Sequence, residues 1–187
     1  MSRLVWACAL ASFACGGGAG GGGTATFEGT IRGQSVRPAD AVSTPFGDGR
    51  LIIGNVGGSC ALMSASRQPR NWATLDIQLA DQGPTGFSPP AGTGSFTIVP
   101  ASFTGQFPAH WAVAAFDMTG DSCQNLVGGN AVSGTVTLTS KAGGAYAGSF
   151  DLIFDSGDHV TGTFAAAHCA GIETFFMAAG NNALTCG

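Results

Sequence analysis

Apolar residues occupy every second position over most of the stretch from Gly134 to Cys169, and Thr, Ser or Asp mostly lie between them. A period of two is typical of strands that bury one face and expose the other. Two Gly-containing turns, at 140–144 and 155–157, divide the stretch into three parts. The pattern therefore predicts a three-stranded antiparallel meander. Its apolar positions are Val136, Leu138, Tyr146, Phe150, Leu152, Phe154, Val160 and Phe164.

The register of this meander can be predicted, because residues that face each other across a strand pair lie on the same side of the sheet. The apolar positions are all even-numbered, which excludes a two-residue loop and favours the three-residue loop 155–157. Gly157 then takes the left-handed position of a type I turn with a G1 bulge. The same rule is expected to place Leu138 opposite Tyr146 in the first hairpin. In the second hairpin the predicted facing pairs are Leu152 with Val160, Phe150 with Gly162, and Phe164 with Gly148. In the last two pairs the aromatic ring is expected to cover the glycine that faces it.

Shorter alternating or apolar segments upstream predict further strands, and no helical periodicity is sustained between residues 24 and 169. Pro- and Gly-rich segments between them are typical of loops. Strand signals at this spacing predict an all-β fold: an antiparallel β-sandwich, with a lipocalin-like or partly open β-barrel as the alternative. In the C-terminal tail 170–187, the segment IETFFMAAG at 172–180 fits either a strand or one or two helical turns. The predicted upstream strands are 24–33, 50–56, 72–80, 95–99 and 111–118.

Residues 1–14 have the form of a signal peptide: Arg3 gives a positive start, and the apolar run after it is too short to span a bilayer. The run ends in SFAC and a Gly-rich segment follows, an arrangement that resembles the lipobox of bacterial lipoproteins. The resemblance implies that Cys15 is lipidated and becomes the new N-terminus, with 15–23 as a tether. The alternative is ordinary cleavage after Ala14, which would give a soluble secreted or periplasmic protein.

Four cysteines follow the predicted anchor, an even number that is typical of an exported protein in an oxidising compartment. Four cysteines allow three pairings. We favour Cys60 with Cys123, which both lie in polar loops, and Cys169 with Cys186, which would pin the C-terminal tail. A zinc site is disfavoured because no CxxC pair occurs among them.

The charge of the chain excludes one class of partner. Charged residues make up only 10% of the sequence, the formal net charge is -4, and the seven basic residues are scattered. Such a chain offers no basic patch to a phosphate backbone, so nucleic acid is not expected as a partner. The abundance of Gly, Ser and Thr predicts a neutral, hydroxyl-rich surface instead.

Four strand-level motifs precede the meander in the order ATFEGTIRG, LIIGNV, NWATLDIQL and GTGSFTI. Together with the meander, this layout resembles a group of uncharacterised bacterial envelope lipoproteins with a small Gly-rich all-β domain. The resemblance covers most of the mature chain. It implies an envelope-anchored β-sandwich or lipocalin-like shell, and it brings no catalytic residues to transfer.

The sequence contains no catalytic or nucleotide-binding motif of established spacing, and no cofactor is expected. Three histidines are the bases that would titrate near neutral pH. His159 alternates out of phase with Val160, so it is expected on the solvent-exposed face of its strand. His168 precedes Cys169, but a thiol dyad would need a reduced cysteine, and a disulfide is expected there.

Acidic turns are the one weak candidate for a metal site. Asp155 and Asp158 flank the second turn of the meander, and Asp117 and Asp121 lie close together in DMTGD. Loop carboxylates are the ligands that calcium prefers. Asp is also frequent in turns because its side chain bonds the local backbone, and we favour that role.

Aromatic side chains in loops form a candidate binding surface for a sugar ring or for a side chain of a partner. The residues concerned, with Phe87 nearby, are Phe103, Phe107, His110 and Trp111. In the alternative interpretation these rings fold back and plug one end of the β shell.

These observations favour a non-enzymatic, lipid-anchored envelope protein that acts as a structural or binding module. Its expected partners are the membrane, through the anchor, and an envelope protein or glycan. A lipocalin-like carrier of an apolar ligand is one alternative, and it needs a closed barrel with an apolar cavity. An extracytoplasmic hydrolase that uses Asp residues is the other, and it needs carboxylates on opposite walls of one pocket.

Overall fold

The computed structural model describes residues 22–187, so the predicted signal peptide, Cys15 and most of the tether lie outside the described residues. Within this range the chain forms twelve strands and two helices. The strands are β1 (Thr24–Ala25), β2 (Asp40–Thr44), β3 (Arg50–Gly54), β4 (Arg67–Gln68), β5 (Ala73–Gly83), β6 (Gly86–Ser88), β7 (Gly94–Ile98), β8 (His110–Thr119), β9 (Asn125–Ala142), β10 (Ala145–Phe154), β11 (His159–His168) and β12 (Thr185–Cys186). The helices are α1 (Ser59–Ser64) and α2 (Gly171–Gly180). Neither helix has the length and apolar character needed to cross a membrane.

Ten strands form one mixed sheet in the order β1-β11-β10-β9-β7-β8-β5-β3-β2, and β6 pairs with β5 beside this path. Pairs are antiparallel except β7 with β8 and β11 with β2. The β11–β2 pairing consists of only two residue pairs, Ala167 with Val42 and His168 with Ser43. The sheet therefore curls until its ends touch, without becoming a closed barrel. The all-β class is confirmed, with one curled sheet in place of the two sheets of the expected sandwich.

The inner face of the curled sheet is filled with side chains. β5 shows why: Leu75, Ile77 and Leu79 point inward and are fully buried, whereas Asp76 and Gln78 alternate with them on the outer face. Each such aliphatic side chain stabilises the fold by about 1.5–3 kcal/mol through burial. The other large side chains that are fully buried in this core are Phe96, Phe116, Tyr146, Phe154, Ile31, Leu51, Ile53 and Leu138.

The predicted meander is confirmed as β9, β10 and β11, and the register of its second hairpin is also confirmed. Gly157 has a φ of 84°, in the left-handed region that the G1 bulge requires. The rings of Phe150 and Phe164 lie over the facing glycines, since a Cβ at either glycine would meet the ring. The facing pairs are Leu152 with Val160, Phe150 with Gly162, and Phe164 with Gly148.

The predicted register of the first hairpin is wrong. Its turn is the two-residue loop Gly143–Gly144, with φ of 56° and 86°, so Tyr146 faces Lys141. Two positive φ values are the signature of a type I′ turn. A bulge at Thr139 then adds one residue to β9, so that Leu138 faces Gly148. After the bulge, even-numbered residues again face each other, so the apolar side chains of both strands lie on the buried face. The parity rule does not anticipate such an inserted residue.

The C-terminal segment forms α2, which packs on the outer face of the sheet together with α1. Val42, Ile52, Trp72, Ile172 and Phe175 are buried between the helices and the strands. This second cluster covers outer-face residues at one end of β2, β3 and β5. The segment that fitted either a strand or a helix is therefore helical.

All four cysteines form disulfides, but the pairing that we favoured is wrong. Cys60 pairs with Cys169 and Cys123 pairs with Cys186. The packing of α1 against α2 brings the first pair together. β12 pairs with β4 at Gln68, whose carbonyl oxygen lies 3.3 Å from Cys123 Sγ, which explains the second pair. The tail is thus held to the 120–125 loop and not to the end of β11.

Candidate functional site

The most distinctive polar groups lie on the outer face of β3, β5 and β8, beside α2. Strand alternation places Thr74, Asp76 and Gln78 on this face, because their neighbours in β5 fill the core. The helix covers only part of the face. Two cavities remain, one on each side of the contact between α2 and the strands.

The first cavity, here called the helix–turn cavity, has a volume of about 340 Å³ and lies between α2 and the turn that joins β2 to β3. Phe46 and Met177 stand at its edges with 55% and 59% of their surface exposed. Asp48 and Glu173 add two carboxylates to a lining that is otherwise mainly apolar. The full lining is Thr44, Phe46, Gly47, Asp48, Gly49, Arg50, Gln78, Ile172, Glu173, Phe176 and Met177.

The second cavity, here called the helix–sheet cavity, has a volume of about 220 Å³ and lies between α2 and the ends of β5 and β8. Three aromatic rings contribute to its wall: the Trp72 and Phe175 centroids are 5.8 Å apart, and those of Phe175 and Phe176 are 5.6 Å apart. Its full lining is Ile52, Gln68, Trp72, Thr74, Asp76, Asp117, Thr119, Asn125, Phe175, Phe176, Ala179 and Leu184.

Three side chains form the partition between the two cavities. Arg50 Nε lies 3.3 Å from Asp76 Oδ1, and both side chains are about one-fifth exposed, at 19% and 21%. The guanidinium carbon of Arg50 lies 3.7 Å from the centroid of the Phe176 ring. A guanidinium over an aromatic face is a favourable cation–π contact. Arg50 therefore connects the carboxylate of the sheet to the aromatic side chain of α2.

Asp76 has the most perturbed carboxyl group of the site. Burial raises the pKa of Asp76 from its usual 3.8 to about 6, against the opposing effect of Arg50 and with a further increase from Asp117. Its Oδ1 is inaccessible to solvent and has no hydrogen-bond partner of good geometry in the described part of the chain. A carboxyl group of this kind exchanges a proton close to neutral pH and attracts a cation when it is ionised.

Asp117 is the second acidic group at the helix–sheet cavity. Burial raises the pKa of Asp117, and a hydrogen bond that Asn125 Nδ2 donates to Asp117 Oδ1 over 3.3 Å partly opposes this effect. Thr74 faces Asp117 and Ala115 faces Asp76 across the β5–β8 pair. The two carboxyl groups are therefore diagonal neighbours on one wall. The expected hydrolase needed carboxylates on opposite walls, and this pair does not provide that arrangement.

The predicted aromatic surface is a packed cluster and not an open platform. Trp111 is only 5% exposed, and its ring centroid lies 4.8 Å from that of Phe87 and 4.7 Å from that of Phe107. Phe103 packs on Phe107 at 5.1 Å. His110 lies at the edge, where Nδ1 is 2.7 Å from Asp81 Oδ1. The structure thus brings the predicted residues together in a cluster on the outer face of β8, where Phe87 remains 47% exposed.

The carboxylates of Asp155 and Asp158 interact with Arg32 and with the Ser156 hydroxyl of the same turn. The backbone N–H of Arg32 donates to Asp158 Oδ2 over 2.7 Å, and Arg32 Nη2 lies 3.3 Å from Asp155 Oδ1. Hydrogen bonds from the Ser156 hydroxyl and this backbone N–H lower the pKa of Asp158. Residues 22–187 contain no group of three or more His, Cys, Asp or Glu side chains placed to hold a metal ion.

The remaining histidines do not join a reactive centre. His159 is exposed, as expected, and its Nε2 lies 2.7 Å from Asp151 Oδ1. His168 lies next to Cys169, whose sulfur is bonded to Cys60, so no thiol is available for a dyad. Sequence reasoning missed the α2 cavities altogether. Ile172, Phe175 and Phe176 at helical spacing were the signal that an apolar helix face covers the sheet.

No protein-family model, curated protein or solved structure gives a significant match to this chain. The assignment of function therefore depends on the chemistry of the α2 cavities.

Proposed function

We propose that the protein is an exported, lipid-anchored binding module of a bacterial envelope, which captures a small amphipathic ligand in the helix–turn cavity. The two disulfides support an oxidising compartment outside the cytoplasm. The lipid anchor at Cys15 is supported by the resemblance of the leader to a lipobox. The predicted Gly-rich tether would give the domain about 15 Å of reach from the membrane surface.

One observation carries the binding proposal: two large apolar side chains remain more than half exposed at the mouth of one cavity. Single exposed apolar side chains are normal on a protein surface, but two that flank the mouth of one apolar cavity are typical of a ligand-binding groove. The cavity volume of about 340 Å³ lies at the small end of the range of about 300–1,000 Å³ for small-molecule sites. Asp48, Arg50 and Glu173 give the rim polar groups for the polar end of such a ligand.

The inner core argues against the alternative lipocalin-like placement of a ligand. Side chains from the curled sheet fill its interior, and Phe96, Phe116 and Tyr146 are almost completely buried there. A lipocalin-like carrier holds its ligand inside the barrel. The site that we propose lies outside the sheet, under the edge of α2.

Fluorescence of N-phenyl-1-naphthylamine, an apolar probe that brightens in apolar surroundings, tests the binding proposal. Met177→Asp places a charge at the cavity mouth and should weaken binding by at least about tenfold, or about 1.4 kcal/mol. Leu126→Asp is the matched control, because Leu126 is similarly exposed at 54% and does not line the cavity. Equal affinities for the two variants and the wild type would reject the helix–turn cavity as the ligand site.

Metabolic labelling with palmitate tests the anchor separately. The full chain, expressed with its own leader in a bacterial host, should incorporate the label and sediment with membranes. Cys15→Ala should lose the label and remain in the soluble fraction. An unlabelled wild-type protein with an intact mass that begins at Cys15 would show ordinary secretion instead.

A further inference from the structure

The helix–sheet cavity carries negative charge that the chain neutralises only in part. Asp76 and Asp117 line it, and none of its lining residues is basic. Arg50 approaches Asp76 from the other side of the partition at 3.3 Å. Asp117 has the neutral amide of Asn125 as its hydrogen-bond partner, and no described basic side chain lies within ion-pair distance of it. The guanidinium of Arg50 is therefore the one nearby positive charge for the two carboxylates of Asp76 and Asp117, which lie in a partly desolvated site.

The same cavity also has an aromatic lining, with Trp72 just before β5 and Phe175 and Phe176 on α2. Trp72, Phe175 and Phe176 pack edge to face around it, so ring surface is fixed in place by the packing of α2 on β3 and β5. The Phe176 ring already has the guanidinium of Arg50 over it, 3.7 Å from the ring centroid. Aromatic faces attract organic cations most strongly when the contact is desolvated.

Carboxylates and aromatic rings that line one cavity are complementary to an organic ammonium group. We propose that the helix–sheet cavity binds a small alkylammonium ion, with its charge beside Asp76 and Asp117 and its alkyl groups against Trp72 and Phe175. A neutral ligand would leave the Asp117 carboxylate without a counter-charge in a partly desolvated site. Calcium needs six or more oxygen ligands, and two carboxylates do not supply that number.

The cavity also limits the size of the occupant. Its volume of about 220 Å³ is smaller than the range of about 300–1,000 Å³ that drug-sized ligands use. The occupant is therefore a small ion or the head group of a larger molecule. The inference goes beyond the proposed function, because the two cavities lie on opposite sides of the Arg50–Asp76 partition and either site can exist without the other.

The test compares choline with 3,3-dimethyl-1-butanol, its neutral isostere in which carbon replaces the charged nitrogen. Both are titrated into the ¹⁵N-labelled, disulfide-intact protein at pH 7.5, and backbone amide shifts are followed. We expect choline to shift the amides of Trp72, Asp76 and Asp117 saturably, with an affinity at least about tenfold higher than that of the isostere. Equal affinities, or no shift at these amides with millimolar choline, would overturn the inference.

Two variants keep the test independent of folding and of the other cavity. Asp117→Asn retains the shape of the side chain and should weaken choline binding by at least about tenfold, with an otherwise unchanged spectrum. Asp151→Asn removes an exposed carboxylate on the meander and should bind choline like the wild type. Full affinity in Asp117→Asn would contradict the site. Binding of N-phenyl-1-naphthylamine is measured in the same samples, so a failure of the helix–turn cavity is seen separately.

Discussion

Replacement of Asp76 by Asn should change how the stability of the protein depends on pH. The pKa of Asp76 rises from 3.8 to about 6 on folding because burial disfavours the ionised form. The folded state therefore binds this proton more tightly than the unfolded state. The protein is most stable with respect to Asp76 below pH 3.8, and it loses stability as the pH rises from there through 6. Arg50 and Asp117 are the charged groups that act on this carboxyl group.

The size of the effect follows from the two pKa values. One pKa unit corresponds to about 1.4 kcal/mol, so the ionised carboxylate costs the folded state about 3 kcal/mol above pH 6. Asn is neutral at every pH and removes this dependence. Between pH 4 and pH 8 the stability of Asp76→Asn relative to the wild type should therefore increase by about 2–3 kcal/mol.

Urea unfolding at several pH values, followed by circular dichroism with the disulfides intact, measures this difference. Asp117 is present in both proteins, so the comparison reports chiefly on Asp76. Asp121→Asn is the control, because Asp121 is exposed in the loop after β8. Parallel pH profiles for the wild type and Asp76→Asn would refute the reasoning, since they would show that the carboxylate is well solvated.

Three further predictions concern the fold. Trp111→Ala should cost about 3–5 kcal/mol of unfolding free energy in urea, because Trp111 is buried in the aromatic cluster; a stable variant that loses binding to a glycan would support the platform interpretation. Gly162→Ala should cost about 1–3 kcal/mol, because the added Cβ meets the backbone oxygen of Thr26 and the Phe150 ring, whereas Gly92→Ala, where the space is open, should be neutral by the same measurement. Paired Cys→Ser replacement should cost about 4 kcal/mol for Cys123–Cys186 and about 5 kcal/mol for Cys60–Cys169, whose sequence separations are 63 and 109; no loss in thermal melts would show that these bonds do not restrain the chain.

Alternation along the chain was enough to predict most of the longer strands and one hairpin register. It missed β2, and the predicted strand 24–33 forms a strand only at Thr24–Ala25. Parity and a single turn glycine determine the β10–β11 register, because a slip of one residue would expose every apolar side chain of β10. The β9–β10 register could not be predicted in the same way. The bulge at Thr139 is a local insertion, and nothing in the alternation distinguishes it from a regular strand with a longer turn.

The disulfide pairing and the α2 cavities depend on tertiary packing that local patterns do not contain. Cys60 meets Cys169 only because α1 lies beside α2. Asp76 has the sequence context of an ordinary solvent-facing strand residue, and it becomes desolvated only because α2 covers part of its face. The aromatic residues near Trp111 are easier to recognise in the sequence than the α2 cavities, but their rings mainly pack against each other.

The most direct test of the central claim is a map of where a small amphipathic cation binds. ¹⁵N-labelled protein is titrated with 2-phenylethylamine at pH 7.5, where its amine is protonated, and the shift changes of the backbone amides are assigned. The account predicts that saturable changes concentrate on α2, on the turn that joins β2 to β3, and on the facing parts of β3, β5 and β8. Changes confined to the aromatic loop 99–109 or to the outer face of the meander, or no saturable change at all, would contradict it.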